Sequence, residues 1–556
     1  MRRVRLNATE EERRMSNPNT DDEFAAPLGT SRREFLKASG LGSVYIMLAP
    51  HGVWSSPPSS RQTELQSGWR IISARNVSAG GEQVSCAEFD ASSWFRISRM
   101  PATVLQALED AGVYKDVYYG MNIVDHVPQD LWKQDWWYRT TFDAAAHSEV
   151  YSLIFHGINC RADVWLNGHL VADKSQVVGA YNSFEFIVSK YIRPGGENVL
   201  AVKVTPEQRI LDVNGVELGD SWLDWINFKY LGYHDPKRNL NVSFVPDRNA
   251  GVWQRVLLSS TGKVLVRNPY VETDLPLPSI SPASLTVYCD LRNGAAEGVA
   301  GTLQGEISRP GKTPITFQQE VTLQGGETKE VFFSPAAYHQ LSITDPDLWW
   351  PCQFGEPALY QLRLDFSVGG RISDAASIDF GTRKVTQHRD SDNDFPKVGT
   401  GGNFWLQVNG KDFLIRGACY TPDLLFKSDP ERDQAIVTYA RDMGLNMLRW
   451  ECKLADNTML DRCDRAGIPV MQGWMCCQQW EHWKQWDDED HWVALASLRA
   501  RIYNLRHHAA AFIWADGSDG RPPDAVGSQY HQVLQELHWQ NGVVDTVSNY
   551  QKDARG

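Results

Sequence analysis

The sequence changes its hydrophobic period at about residue 413. Before that point, short runs of alternating apolar and polar residues between turn residues predict antiparallel strands. After it, short apolar runs alternate with longer stretches of helical spacing, a pattern typical of strand–helix–strand units and a parallel sheet. The predicted strands are 413–417, 445–450, 468–474 and 511–514, and the predicted helices are 432–443, 457–466 and 491–507. Residues 385–556 are therefore expected to form the N-terminal half of a (β/α)8 barrel.

The part before this change is long enough for two β-domains. Residues 61–261 are expected to form a jelly-roll sandwich, with strands at 136–142, 151–155, 162–166 and 198–204. Asn167 and Gly168 follow one of these strands and predict a tight hairpin turn. Residues 262–384 alternate in the same way, for example at 284–291 and 331–334, and suit an immunoglobulin-like sandwich.

The charge balance and the motifs exclude several classes of function. The 556 residues carry a formal net charge of −13, which argues against nucleic-acid binding because phosphate contacts need clustered Lys and Arg. The sequence shows neither a phosphate-binding Gly-rich loop nor a zinc-binding pattern, so no cofactor and no metal are predicted. The nine cysteines are scattered and do not indicate a disulfide framework.

The first 60 residues resemble an export signal followed by a linker. Arg32 and Arg33 precede a weakly apolar stretch rich in Gly and Ser at 38–49, and this arrangement resembles a twin-arginine signal. The stretch is shorter than the ~20 residues that span a bilayer. Residues 55–60 are a Ser/Pro-rich linker. The resemblance implies the twin-arginine machinery as a partner of the precursor, a periplasmic or secreted location, and no membrane attachment of the mature form.

The strand predicted at 511–514 ends in a polar tip. Phe512 to Trp514 are apolar, and Ser518 and Asp519 follow within five residues. Barrel enzymes carry their sites at the carboxyl ends of strands, so Asp519 is a candidate for a functional carboxylate. The alternative is that Asp519 caps the next helix. Asp516 and Asp524 are competing carboxylates, and Asp524 is the better candidate for the cap because it precedes Ala525 and Val526.

Taken in order, several strings resemble glycoside hydrolase family 2. They lie at 157–168, 247–253, 348–351, 359–360, 380–383, 409–411, 415–417 and 444–449. Within that family, the strings 420–423, 449–451 and 517–519 most resemble the exo-β-D-glucosaminidase branch. The resemblance implies an exported, retaining exo-β-glycosidase that acts on β-glucosaminides such as chitosan oligosaccharides.

The resemblance also implies roles for individual residues. Asp519 would be the general acid and base of a retaining mechanism. Asp423 and Glu451 would bind the sugar in the −1 subsite, with Ser518 beside them. Arg449 is counted with these substrate-binding residues, although an ion pair between Arg449 and Glu451 is an equally good interpretation because both lie on one face of the strand. Extra carboxylates around a sugar ring suit a cationic amine.

A retaining glycosidase needs a second carboxylate, and the resemblance implies a nucleophilic Glu at the end of strand seven. Only 37 residues follow Asp519, where three further strand–helix units need ~90. The only downstream glutamate, Glu536, falls in a predicted helix. The sequence is therefore expected to be truncated within the barrel and to lack the nucleophile. Two alternatives stay open, a β-mannosidase of the same family and a non-catalytic glycan-binding fragment.

Overall fold

The computed structural model describes residues 61–207, 210–213, 216–219, 232–235, 240–389, 404–420, 422–427, 429–450, 457–475 and 479–547. The signal and linker predicted at 1–60, and Glu451, lie outside these residues. In the part of the chain that is described, no helix has both the length and the apolarity needed to cross a membrane. The cysteines in this part carry free thiols.

The first described segment forms two antiparallel sheets around one apolar core. Its strands are β1 (Arg61–Glu64), β2 (Arg70–Ser73), β3 (Phe95–Arg96), β4 (Ala102–Thr103), β5 (Trp136–Asp143), β6 (Val150–Phe155), β7 (Arg161–Leu166), β8 (His169–Ala172), β9 (Phe184–Ile187), β10 (Glu197–Thr205), β11 (Ile210–Val213), β12 (Val216–Gly219), β13 (Gly232–Asp235), β14 (Leu240–Ser243), β15 (Gly251–Val252) and β16 (Val256–Thr261). Its helices are α1 (Gly81–Val84), α2 (Val104–Asp110) and α3 (Asn122–Asp125), with 3-10 turns at Ala74–Asn76 and Leu131–Lys133.

The two main sheets of this sandwich have the orders β1-β16-β6-β9 and β3-β2-β5-β10-β7-β8. The predicted hairpin at Asn167 and Gly168 is confirmed, because both residues have positive φ and Leu166 pairs with His169 across the turn. A two-residue turn of this kind matches the twist of the strands that it joins. The finer jelly-roll topology stays a prediction.

The second sandwich has the strands β17 (Val264–Asp274), β18 (Ala283–Asn293), β19 (Val299–Ser308), β20 (Ile315–Leu323), β21 (Thr328–Phe333), β22 (Ser342–Ile343), β23 (Tyr360–Val368) and β24 (Arg371–Phe380), with a 3-10 turn at His339–Leu341. One sheet has the order β17-β18-β21 with β22 beside β18, and the other has the order β20-β19-β23-β24. Residues along β18 alternate between buried and half-buried positions, as expected for a strand with one face on a core.

The third segment contains β25 (Val385–Arg389), β26 (Phe404–Val408) and β27 (Lys411–Phe413), which form a small antiparallel sheet. The parallel strands β28 (Gly417–Tyr420), β29 (Met447–Trp450), β30 (Val470–Gly473), β31 (Ala511–Ala515) and β32 (Gly542–Val544) follow, with helices α4 (Pro430–Asp442), α5 (Asn457–Ala466), α6 (Asp488–Leu505) and α7 (Asp524–Glu536) between them and 3-10 turns at Gln479–Glu481 and Trp483–Gln485. Their spatial order equals their sequence order.

Each parallel strand is therefore joined to its neighbour by one helix, as the change of period predicts. This confirms the strand–helix alternation and the parallel sheet. That the sheet is half of an eight-stranded barrel stays a prediction.

The strand predicted at 413–417 is wrong. Phe413 ends β27, Gly417 begins β28, and the residues between them form no strand. Leu414 in this connection is 78% exposed, so its apolar side chain does not mark a buried strand. The connection is held by Asn446, whose side chain accepts from Arg416 N at 2.6 Å and donates to Leu414 O at 2.7 Å. The side-chain amide thus takes the place of strand pairing.

The string 247–253 lies in the first sandwich, includes the short strand β15 and precedes the last strand, β16. Asp247 is fully buried and accepts hydrogen bonds from Leu105 N in the first turn of α2 at 2.7 Å and from Asn249 N at 3.0 Å. Burial raises the pKa of Asp247 to about 6. Gly251 has φ 143°, and a Cβ there would lie 2.6 Å from the Tyr138 hydroxyl. The residue types in this string are therefore set by the packing of the sandwich.

The strings at 348–351 and 380–383 join the second sandwich to the amino edge of the parallel sheet. The Trp349 indole, fully buried, donates to Asp464 O at 2.9 Å. The buried Arg383 donates to Ala509 O at 2.5 Å, to Ala511 O at 2.8 Å and to Asn541 Oδ1 at 2.6 Å. Ala511 is the first residue of β31. The guanidinium of Arg383 thereby fixes where this strand begins.

We expect Arg383→Lys to lower the free energy of unfolding by about 2–4 kcal/mol. An ammonium group cannot donate to all of these separated oxygens at once, so some buried oxygens would lose their hydrogen bonds. The matched control is Arg363→Lys, since Arg363 is 52% exposed and pairs with Asp365 on the surface. That change should cost less than about 1 kcal/mol. Urea unfolding followed by tryptophan fluorescence measures both, and equal effects would contradict the role given to Arg383.

Asp247 should make stability depend on pH. Its pKa of about 6 in the fold lies above the ordinary aspartate value of 3.8, so the folded state holds this proton more tightly than the unfolded chain. The stability that the group contributes is therefore present below about pH 4 and is lost as the pH rises to about 6. Asp247→Asn lacks this titration. Its destabilisation relative to the wild type should shrink by up to about 3 kcal/mol between pH 4 and pH 6.5, and a constant difference in urea unfolding would contradict this.

Candidate active site

The site is built at the carboxyl edge of the parallel sheet, on the loop 516–520 that follows β31. All five residues of β31 are buried, and the loop becomes exposed at Asp519. Arg449 approaches the loop from β29, Glu481 from the 3-10 turn after β30, and Thr546 from the segment after β32. Three neighbouring strands or the segments after them thus contact the loop that β31 carries.

Ser518 is 1% exposed, and its polar atoms are engaged within the protein. Its N–H donates to Glu481 Oε1 at 2.9 Å, and its hydroxyl accepts from Arg449 Nη2 at 2.7 Å. Its carbonyl accepts from Thr546 Oγ1 at 2.8 Å and from Val547 N at 3.1 Å. The structure therefore shows Ser518 as a fixed point of the loop. Its predicted contact with a sugar stays a prediction.

Asp519 is exposed, and its N–H donates to Glu481 Oε1 at 2.7 Å. The alternative that Asp519 caps a helix is not realised, because α7 begins at Asp524 with Pro523 as its N-cap residue. The prediction that Asp524 is the cap is also wrong. Asp524 is the first helical residue, and its carboxylate lies 3.4 Å from Arg521 instead. Asp519 is thus left as the exposed carboxylate at the tip of the loop.

Asp516 has a different environment although it lies three residues away. It is 1% exposed, and Oδ2 lies 3.1 Å from His531 Nε2 on α7. Burial, with a smaller contribution from the charge of Asp545, raises the pKa of Asp516 to about 8. A ring nitrogen of His531 and a carboxylate oxygen of Asp545 both lie within 4.8 Å of an oxygen of this carboxylate. The group is therefore enclosed beneath α7 and separated from solvent.

The structure places Asp423 in a separate network. Oδ1 accepts from the Tyr118 hydroxyl at 2.7 Å and from the N–H groups of Leu425 and Lys427 at 2.9 and 3.1 Å. Oδ2 accepts from Arg432 Nη1 of α4 at 3.0 Å. Desolvation, followed by the nearby Asp423 charge, raises the pKa of the Tyr118 hydroxyl above its ordinary value. Both oxygens of Asp423 therefore have partners within the protein.

Asp423 also lines a cavity of about 470 Å³ between the first sandwich and the third segment. Tyr420 and Trp450, at the ends of β28 and β29, line it together with Trp253 of the sandwich. Arg449, Ser518 and Asp519 are not among its lining residues. The structure thus brings Arg449, Ser518 and Asp519 together, whereas Asp423 contacts a different set of residues. Glu451 lies outside the described residues, so its predicted contacts remain predictions.

Three of the residues that build this region were missed by the sequence analysis. Tyr118 belongs to the first sandwich, 305 residues before its partner Asp423, and no local pattern marks it. Arg432 follows an N-cap and a Pro as an ordinary residue of a first helical turn. Glu481 carries the clearest signal, since it lies between Trp480 and Trp483 just after a strand of the sheet. A carboxylate among tryptophans just after a parallel strand is therefore also a candidate site residue, like a carboxylate at the end of such a strand.

Comparison with known proteins relates this architecture to glycosidases. A model described as the glycosyl hydrolase 2 galactose-binding domain-like family matches residues 78–224, and the model of glycosyl hydrolases family 2 matches residues 264–383. The exo-β-D-glucosaminidase of Streptomyces avermitilis is 31% identical over 535 residues, which cover 93% of this chain and 55% of that protein. The mannosylglycoprotein endo-β-mannosidase of Lilium longiflorum is 24% identical, over 85% of this chain and 50% of that protein.

Among solved structures, the exo-chitosanase of Amycolatopsis orientalis is similar with a TM-score of 0.75 and 30% identity, over 88% of this chain and 53% of that one. The chain thus spans about half the length of these relatives. The matches run through both sandwiches and into the third segment in one order. The chain carries two domains that match glycoside hydrolase family 2, at residues 78–224 and 264–383, and it is similar to the named proteins over most of its length.

Proposed function

We propose that the protein is a retaining exo-β-glycoside hydrolase and that Asp519 is its general acid and base. The observation that supports this most directly is the loop 516–520. It holds one exposed carboxylate at the carboxyl edge of a parallel sheet, with the backbone on Glu481 and the neighbouring hydroxyl on Arg449. Sites of barrel enzymes lie at this edge, and a catalytic group must be held in one geometry. The relatives named exo-β-D-glucosaminidase and exo-chitosanase support the reaction class.

The proposed reaction takes place in two steps. In the first, the bond between the anomeric carbon and the leaving oxygen breaks, Asp519 gives its proton to that oxygen, and a second carboxylate bonds to the anomeric carbon. In the second, water attacks the anomeric carbon, Asp519 takes a proton from the water, and the second carboxylate leaves. The products are the free sugar and the shortened chain, and Asp519 ends protonated as it began.

The second carboxylate must lie ~5–5.5 Å from the first in a retaining enzyme. We propose that it comes from a later strand than the five described here, as the resemblance to the family implies. The proposed activity then belongs to a protein that contains this chain together with that strand.

Asp516 is the competing carboxylate, and its pKa of about 8 would keep it protonated at neutral pH, as an acid catalyst requires. Its burial argues against that role. At 1% exposure and 3.1 Å from His531, its proton has no route to a glycosidic oxygen. We therefore assign Asp516 to the packing of α7 against β31.

For the sugar, we propose a β-linked glucosamine. The relatives with this activity support it, and so does the expected pair of acidic residues around the −1 subsite. Glu451 carries most of this argument, because Arg432 already balances the charge of Asp423. A β-mannoside is the second candidate, favoured by the endo-β-mannosidase relative. A glycan-binding protein without catalysis is the third, and lack of turnover would favour it.

The first prediction of this proposal concerns Asp519. Asp519→Asn should lower kcat/KM on chitosan oligosaccharides about 10²–10⁴-fold, because the amide cannot protonate the leaving oxygen. The matched control is Asp516→Asn, which keeps a neutral side chain of the same shape under α7 and should stay within about threefold of the wild type. Release of glucosamine from the non-reducing end measures both. Full activity of the Asp519 variant, or a loss confined to the Asp516 variant, would overturn the assignment.

The second prediction concerns the sugar. A protonated 2-amino group paired with Glu451 gains a charge-assisted hydrogen bond of about 1.5–3 kcal/mol, which corresponds to roughly 10- to 150-fold in selectivity. Glu451→Gln should therefore reduce the ratio of kcat/KM for aryl β-glucosaminide over aryl β-mannoside. Asp423→Asn is the comparison, and it should reduce this ratio less than Glu451→Gln because Arg432 already balances the charge of Asp423. A wild-type preference for the mannoside would replace glucosamine with mannose in the proposal.

A further inference from the structure

We propose that Glu481 is the positioning residue of the general acid, which it serves by binding the backbone of the loop that carries Asp519. This inference rests on the function proposed above for Asp519. Glu481 lies 38 residues before Asp519, in a 3-10 turn after β30, and nothing in the sequence pattern pairs the two residues.

The geometry of the contact carries the inference. One oxygen, Glu481 Oε1, accepts from three consecutive backbone N–H groups, those of Ser518 at 2.9 Å, Asp519 at 2.7 Å and Gly520 at 3.0 Å. Successive N–H groups that converge in this way form a concave site for an anion. Hydrogen bonds to a charged acceptor are stronger than neutral ones. The carboxylate therefore fixes the backbone on both sides of the Asp519 Cα.

Glu481 can act as an anchor because its own segment is rigidly packed. Trp480 is fully buried and stacks on Trp474 with ring centroids 3.7 Å apart and planes 7° apart. The Trp486 indole donates to Gln479 O at 2.6 Å and closes the segment from the other side. The 3-10 turn is thus held to the sheet by aromatic packing, and the acid loop is held to the turn.

The ring of Trp483 also contacts the loop. A Cβ placed on Gly520 would lie 3.3 Å from this ring, so the loop backbone packs directly against the indole. Arg449 and Thr546 hold Ser518 from two other directions. These contacts constrain Ser518, and the contacts with Glu481 and the Trp483 ring reach the backbone of Asp519 and Gly520. A rigid loop matters because misplacement of a reacting group by ~1 Å can cost about 10²-fold in rate.

The chemistry of the side chain explains why glutamate suits this position. Glutamine keeps the shape and one acceptor oxygen but loses the charge, so its bonds to the three N–H groups are weaker. Aspartate keeps the charge and is shorter by one methylene, so it does not reach all three donors from the same backbone. Both conservative changes should therefore loosen the loop without emptying the space.

The first experiment measures the anchor and needs no activity. Amide hydrogen exchange of the peptide containing Ser518–Gly520 is compared for the wild type, Glu481→Gln and Glu481→Ala. We expect exchange at these amides to accelerate about tenfold or more in both variants, because each loses the charged acceptor. The matched control is Glu489→Gln in the same region. Glu489 forms an ion pair with Arg161, at 2.7 and 2.5 Å.

The second experiment separates positioning of the acid from general loosening. In the protein that carries both carboxylates, kcat/KM of Glu481→Gln is measured on an aryl glucosaminide with a dinitrophenolate leaving group and on a chitosan disaccharide. The activated phenolate leaves without much help from an acid, whereas the sugar alkoxide requires protonation. We expect a deficit of about 10- to 100-fold on the disaccharide and less than about threefold on the dinitrophenyl substrate. For Glu489→Gln, kcat/KM relative to the wild type should be the same on the disaccharide and on the dinitrophenyl substrate.

Each result bears on the inference. Unchanged exchange at Ser518–Gly520 in Glu481→Gln overturns the anchor, and an equal deficit on both leaving groups overturns the positioning role even if exchange accelerates. Absence of turnover in the unsubstituted protein that carries both carboxylates refutes the proposed function and with it the catalytic role of Glu481, while hydrogen exchange still decides whether Glu481 holds the loop. If Glu481→Ala does not fold, Glu481→Gln decides both experiments.

Discussion

The node formed by Asp464 and Arg383 fixes the amino end of β31, and the rest of the site depends on it. Asp464 is buried and accepts from Ala510 N and from His508 Nδ1, each at 2.7 Å. Its carbonyl accepts from Trp349 of the second sandwich. Arg383 binds carbonyls of Ala509 and Ala511 in the same place. Because β31 is only five residues long, fixing its first residue also fixes the position of its last residue, from which the loop 516–520 begins.

The carboxylates near β31 show how environment divides one chemical group into several roles. Asp516 is enclosed, and its pKa of about 8 makes it a neutral packing group at ordinary pH. Asp519 is exposed at the tip of the loop. Glu481 accepts hydrogen bonds from three backbone N–H groups of the loop. Asp423 is balanced by Arg432. Burial, solvent, backbone donors and a cation thus give these four acidic side chains four different environments.

The sequence was sufficient for those parts of the structure that local patterns determine. Strand–helix alternation, the hairpin at Asn167 and the exposed tip at Asp519 each follow from residues close together in the chain. The strand predicted at 413–417 failed because the side chain of Asn446, about 30 residues away, replaces strand pairing. The contact of Tyr118 with Asp423 and that of Glu481 with the acid loop join distant segments. No periodicity reports such contacts, since they arise only from tertiary packing.

The aromatic cluster around Tyr181 shows that the first sandwich is part of the support of the site. Tyr181 is fully buried, and its ring lies 5.5 Å from Trp253, 6.0 Å from Trp474 and 6.1 Å from Trp480. Trp474 follows β30 and Trp480 precedes Glu481, so the sandwich packs on the segment that carries the anchor of the acid loop. Densely packed interiors transmit displacement from one element to the next. The first sandwich is therefore connected, through Trp474, Trp480 and Glu481, to the backbone of the loop on which Asp519 lies.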